Sequence, residues 1–100
     1  MEVDEELSAA MLVYFRGHRL PYPPVNPEGV RAVATTRTAE ALIAEINALS
    51  SEIWDVPVAW STMTHSEGVR LATAEMATRH PELTHDAISA LGNYFGSASR

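Results

Sequence analysis

Thr64-His65-Ser66-Glu67-Gly68-Val69-Arg70-Leu71-Ala72-Thr73-Ala74-Glu75-Met76-Ala77-Thr78-Arg79-His80 is the stretch on which the fold turns. Read as a helix, it makes the chain all-α. Read as a strand over Val69 to Ala74, paired with Val56 to Thr62, it makes a hairpin and an α+β domain with a small antiparallel sheet. The opening four residues favour the helix. Thr64 and Glu67 have the capping-box spacing, in which a hydroxyl caps the first turn and the glutamate reaches back. Val69, Ala72 and Met76 then fall at helical spacing, and Pro81 stops the helix near His80 because a residue before proline is pushed out of the α region.

Moving toward the C-terminus, Thr84 is an N-cap and Asp86 sits in the first turn of the next helix. Leu83 and Ile88 stand in the hydrophobic-staple relation. Ile88, Leu91 and Phe95 carry the apolar face. Gly96 is the expected end, and residues 97–100 are expected to fray.

Moving back, Leu42, Ile46, Leu49 and Ile53 share one helical face, while Val30, Val33 and Ala34 share another roughly 130° away at about 100° per residue. One straight helix cannot bury both against the same core. The sequence therefore predicts two segments, about 27–34 and 38–53, broken at Thr35-Thr36-Arg37-Thr38. Asn26-Pro27-Glu28 reads as the start of the first, with asparagine as cap and proline at N1. A short strand over Val30 to Thr35 is the rival reading. Earlier still, Leu7, Ala10, Met11 and Tyr14 form one face of a helix over about Asp4 to Arg16, with Glu5 and Glu6 at its dipole-positive end. Arg16, His18 and Arg19 lie at the other end, and Gly17 is a fitting C′ residue. Between these regions lies Leu20-Pro21-Tyr22-Pro23-Pro24-Val25-Asn26-Pro27, a proline-rich connector.

These elements add up to a small irregular bundle of four to five helices in a single domain. The length agrees: 100 residues suit one domain and suffice for a core without disulfides or metal.

Composition narrows function. There is no cysteine, which excludes thiolate metal sites, thiol catalysis and disulfides. The start is acidic where a signal peptide is basic, and the longest apolar run, Ala9 to Phe15, is far short of a membrane span. These features predict a cytoplasmic protein with no membrane association. The seven basic residues, all arginine, against 13 acidic ones leave a net charge of −6. That balance opposes non-specific binding to nucleic acid and suits a basic protein partner.

No constellation compels an enzyme or a cofactor. His80, Glu82, His85 and Asp86 are legitimate metal ligands, but they lack a ligand spacing and read better as helix-end residues. Glu5 and Glu6 point to different sides of their helix and read as solvated. There is no Gly-x-Ser-x-Gly elbow and no phosphate-cradling loop. The 65–95 hairpin has the outline of a helix–turn–helix, yet its second helix carries no arginine or lysine; a basic stripe would have to come from Arg16, Arg19, Arg31 and Arg37. Pro21-x-x-Pro24 matches a minimal polyproline ligand, although a connector whose Tyr22 packs on neighbouring helices explains it as well.

The sequence thus points to a non-enzymatic, acidic protein-binding domain, most concretely an inhibitor or neutraliser of the antitoxin or immunity type. The candidate contact residues are Glu2, Asp4, Glu5 and Glu6 in one patch, and Glu52, Asp55, Trp60 and Glu67 in a second. Trp54 is expected at the core or its edge, and Trp60 is the better surface candidate. A helix–turn–helix regulator, and a structural subunit of a homo-oligomer or phage-like assembly, are the alternatives.

Overall fold

A computed structural model describes residues 2–15 and 26–99. Five α-helices follow one another: α1 (Glu5–Tyr14), α2 (Pro27–Val33), α3 (Ala39–Asp55), α4 (His65–Arg79) and α5 (His85–Ala98). There is no strand among the described residues. The all-α reading holds, and both strand alternatives, 30–35 and 56–74, give way to helix or turn.

Capping decides the disputed stretch. Thr64 Oγ1 accepts from the Glu67 backbone N–H, and the Glu67 carboxylate accepts from the Thr64 N–H, at 3.1 and 2.9 Å. Two orphan donors of the first turn are thereby satisfied, which a strand would forgo. Thr84 and Thr38 cap α5 and α3 through the hydroxyl alone, accepting from the Ala87 and Ala41 N–H groups, and Asn26 caps α2 with Pro27 at N1. Replacing such a cap by alanine costs about 1 kcal/mol.

The apolar faces meet in one core. Leu7, Ala10, Met11 and Tyr14 of α1, the full Leu42–Ile46–Leu49–Ile53 stripe of α3, and Ile88, Leu91 and Phe95 of α5 are all buried. From α4 the buried residues are Gly68, Ala72 and Met76. Val69, expected on this face, is half-buried at its margin.

The break between α2 and α3 falls where the two faces diverge. Its cause is Glu6. This carboxylate accepts from the backbone N–H groups of Thr35, Thr36 and Arg37 and from both threonine hydroxyls. It thus serves as acceptor for backbone groups that a continuous helix would have paired internally.

The turn between α4 and α5 is pinned to the start of the chain. The Asp4 N–H donates to the Glu82 carbonyl at 2.7 Å, and the Thr84 N–H donates to Ser8 Oγ at 3.1 Å. Ser8 is the one buried polar residue described, and this bond satisfies it.

Several boundaries differ from the sequence reading: α1 ends at Tyr14, short of Arg16, α2 ends at Val33 and α3 starts at Ala39, with Phe15, Ala34 and Thr38 as the caps. Helix α1 begins at Glu5 because Asp4 is its N-cap, accepting from Leu7 N–H. Helix α3 runs two residues past Ile53, ending where Val56 turns extended before Pro57. Helix α5 passes through Gly96 to Ala98, and Ser99 is its C-cap; a Cβ at Gly96 would make only ordinary contact with Val69, so nothing there demands a break. The predicted connector 20–27 lies mostly outside the described residues, as do Arg16, Gly17, His18, Arg19, the Pro21–Pro24 motif and Tyr22.

Candidate interaction surface

The surface that stands out is built by the end of α3, the loop 56–64 and the first turns of α4. Pro57 and the tight turns at Val58–Thr62 shape the loop: Trp60 N–H donates to the Val58 carbonyl, and Thr62 N–H to that of Ala59, each at 2.9 Å. Buried Val56 anchors it. The Trp60 indole then lies over Gly68, where any Cβ would collide with the ring. It also stacks on His65, with centroids 6.1 Å apart and planes 25° apart.

Trp54 and Trp60 converge on one ring. Trp54 meets Phe95 edge-on at 4.9 Å, and Trp60 meets it tilted at 6.3 Å. Both remain open to solvent, 51% and 44% exposed, as does Leu71 at 41%. Trp54 is therefore at the edge of the core and not within it, because the buried stripe of α3 passes through Ile53, one residue earlier. Leu71 follows Gly68 by one turn on α4, and a cleft of about 170 Å³ beside it is lined by Val56, Pro57, Glu75 and Arg79. The result is an apolar ridge with carboxylates at its margin. Tryptophan in such positions supplies large contact area and is enriched at binding hot spots.

The eight candidate contact residues divide by what already occupies them. Asp4 caps α1 and pairs with Arg37 at 2.6 Å. Glu6 holds the 35–37 break, which pulls its pKa far below the ordinary carboxylate range, chiefly through the Thr35 N–H; it is not the solvated acid that its position predicts. Glu67 is committed to the capping box. Glu52 pairs with Arg79 and His80. Glu2, Glu5 and Asp55 are exposed and unbonded, and Trp60 lies on the ridge. Four of the seven acids read as a docking surface are thus internal braces, and the sequence spacing gives a sign of that for Glu67 alone. The threonines at the α2–α3 break were the available clue to Glu6.

A second cluster joins three elements. His80 Nε2 lies 2.7 Å from Glu52 of α3, and its Nδ1 lies 3.1 Å from Glu82 of the α4–α5 turn. Burial works against the charged ring, but these two hydrogen bonds and the charges behind them outweigh it, so the His80 pKa is raised. The Glu52 pKa is lowered: burial pulls the other way and is overcome by His80 and Arg79. With both nitrogens engaged by carboxylates, His80 acts as a clasp and offers no free nitrogen to a proton transfer. The hypothetical ligand set His80, Glu82, His85 and Asp86 does not converge; His85 is almost fully exposed. No three potential ligands gather into a metal site among the described residues.

The helix–turn–helix outline exists as α4, the 80–84 turn and α5, but α5 carries no arginine or lysine. Of the residues proposed for a basic stripe, Arg31 pairs with Glu28 and Glu40, and Arg37 with Asp4, Glu6 and Glu45. No helix of the described residues is long and apolar enough to cross a membrane. Comparison with protein-family models, with curated proteins and with solved structures gives no match.

Proposed function

We propose that this chain is a non-enzymatic protein-binding domain that engages a basic partner through the Trp54–Trp60 ridge. In its most concrete form it is an inhibitor or neutraliser of the antitoxin or immunity type. The observation that carries the reading is the convergence of two half-exposed tryptophans on Phe95, with Leu71 exposed one turn beyond the Gly68 that Trp60 covers and Asp55, next to Trp54 in the chain, unpaired. Monomeric domains seldom leave such side chains grouped in solvent without use. An acidic margin favours approach by a basic surface and speeds encounter.

The test is capture of partners from the native host by the tagged chain, with identification by mass spectrometry at low and high salt. One stoichiometric basic protein, weakened by salt, is expected. With that partner in hand, Trp54→Ala and Trp60→Ala should each weaken binding by about 2 kcal/mol, roughly 30-fold. Asp55→Arg should chiefly slow association. Recovery of nucleic acid alone, or a partner indifferent to both tryptophans, overturns the reading.

A further inference from the structure

The outer face of the α4–α5 pair carries a groove whose chemistry runs against that of the molecule. Two joined hollows of about 500 and 480 Å³ share Val69, Arg70, Gly92 and Asn93. Together they follow α4 from Ser66 to Ala77, about 16 Å at 1.5 Å per residue. No carboxylate lines either hollow. The clefts beside Leu71 and beside His80, in contrast, carry Glu75 in the first case and Glu45, Glu52 and Glu82 in the second. His65 stands at one end of the groove and His85 at the other. Arg70 lies between them. Among the described arginines it alone has no ion pair; Arg31, Arg37 and Arg79 each have two or more. The floor is apolar, formed by Val69 and Ile88, and Gly92 lets the two helices approach closely at Thr73.

The complement of this groove is on the same molecule. In the segment from Glu2 to Glu6, Asp4 and Glu6 are fixed by Arg37 and by the 35–37 backbone. That leaves Glu2, Val3 and Glu5 facing solvent on a rigid base, with Val3 half exposed and neither glutamate bonded. An apolar side chain between two free carboxylates matches an apolar floor beside a guanidinium that has no ion pair and whose nearest charge, Glu67 one turn earlier, is already held by the capping box. Groove and segment also adjoin: Asp4 N–H bonds to Glu82, three residues before His85. A two-fold axis near the 80–84 turn would make that contact closed and reciprocal, each copy's segment meeting the groove of the other.

We propose that a second copy of this chain is the occupant, with Arg70 taking a carboxylate of the partner's acidic segment and Val3 covering the Val69–Ile88 floor. The net charge of −6 on each copy opposes association in general, so charge exchange is a cleaner probe than salt.

The experiment is sedimentation equilibrium of the full chain from micromolar to millimolar concentration, with far-UV circular dichroism confirming the fold of every variant. The wild-type chain is expected to dimerise. Arg70→Glu should weaken the dimer about tenfold or more, as should Glu2→Arg with Glu5→Arg. Glu2→Arg alone, which leaves the first turn of α1 untouched, should act in the same direction. An equimolar mixture of the Arg70→Glu chain with the Glu2→Arg/Glu5→Arg chain should recover a heterodimer, since one groove then meets a reversed segment and the other pair is native. A wild-type chain that stays monomeric, a dimer indifferent to these changes, or a mixture that stays dissociated overturns the proposal. So does a monomer that takes up only a foreign acidic peptide.

Discussion

Glu6 concentrates five acceptor interactions on two oxygens, and all five come from residues 35–37. Its role is to replace the hydrogen bonds that the α2–α3 break leaves without helical partners. An amide cannot do the same, because its NH2 group would face the same donors. Glu6→Gln should lower the melting temperature by several degrees at neutral pH. The sign of its pH dependence follows from the depressed pKa. A carboxyl that binds its proton less tightly in the native state stabilises the fold above its ordinary pKa, and that gain fades as pH falls through the native value. Melting curves of the two proteins should therefore converge in acid. A gap that stays constant down to strong acid would assign the effect of the substitution to packing. His65 and Trp60 teach a related lesson at the same scale: the ring stack needs Gly68 beneath it, so a residue with no side chain positions the largest side chain on the surface.

Among the elements, the least self-evident union is that of α3 with the α4–α5 turn, and the His80 clasp makes it. The raised His80 pKa means that its contribution is complete below the ordinary value of 6.5 and is lost as pH rises through the native value. Glu52 works in the opposite sense: its contribution is present above its ordinary 4.5 and is lost as pH falls through the lowered native value. The clasp is thus at full strength between about pH 4.5 and 6.5. His80→Gln should cost about 1 kcal/mol there, a figure reduced for partial solvent access. The difference from wild type should shrink in alkaline solution, and chemical denaturation at three pH values reads it directly. Much of this level was legible in the sequence. The Thr64–Glu67 box, the Thr84 cap and the two divergent apolar faces of 27–53 each state a local physical requirement, and the structure meets each one. What was not legible depends on long-range partners. Glu52 and Glu6 look like surface acids in the sequence, yet one clasps His80 and the other holds the 35–37 break. Of the two places open to Trp54, core or edge, the edge holds: it is half exposed, because a helical stripe has a limited width and Trp54 falls beyond it.

On the scale of the whole molecule, all five helices contribute to one apolar core. Leu91 is fully buried in it, so Leu91→Ala should cost about 2–5 kcal/mol. Helix circular dichroism and tryptophan emission should shift together, because Trp54 and Trp60 both rest on Phe95, one turn away on the same helix. Separate transitions would show that the ridge melts apart from the bundle. The stitches between the chain's two extremes carry a consequence for biosynthesis. Ser8 waits for Thr84, a separation of 76 residues. At roughly 5–20 residues per second, that partner follows about 4–15 s later. During this interval α2 and α3 can already cover part of the first helix, including Tyr14, which bonds to Asn47, but the side of it that meets the 82–84 turn and α5 has no native cover. Translation speed between residues 8 and 84 governs how long that side of the helix stays adhesive.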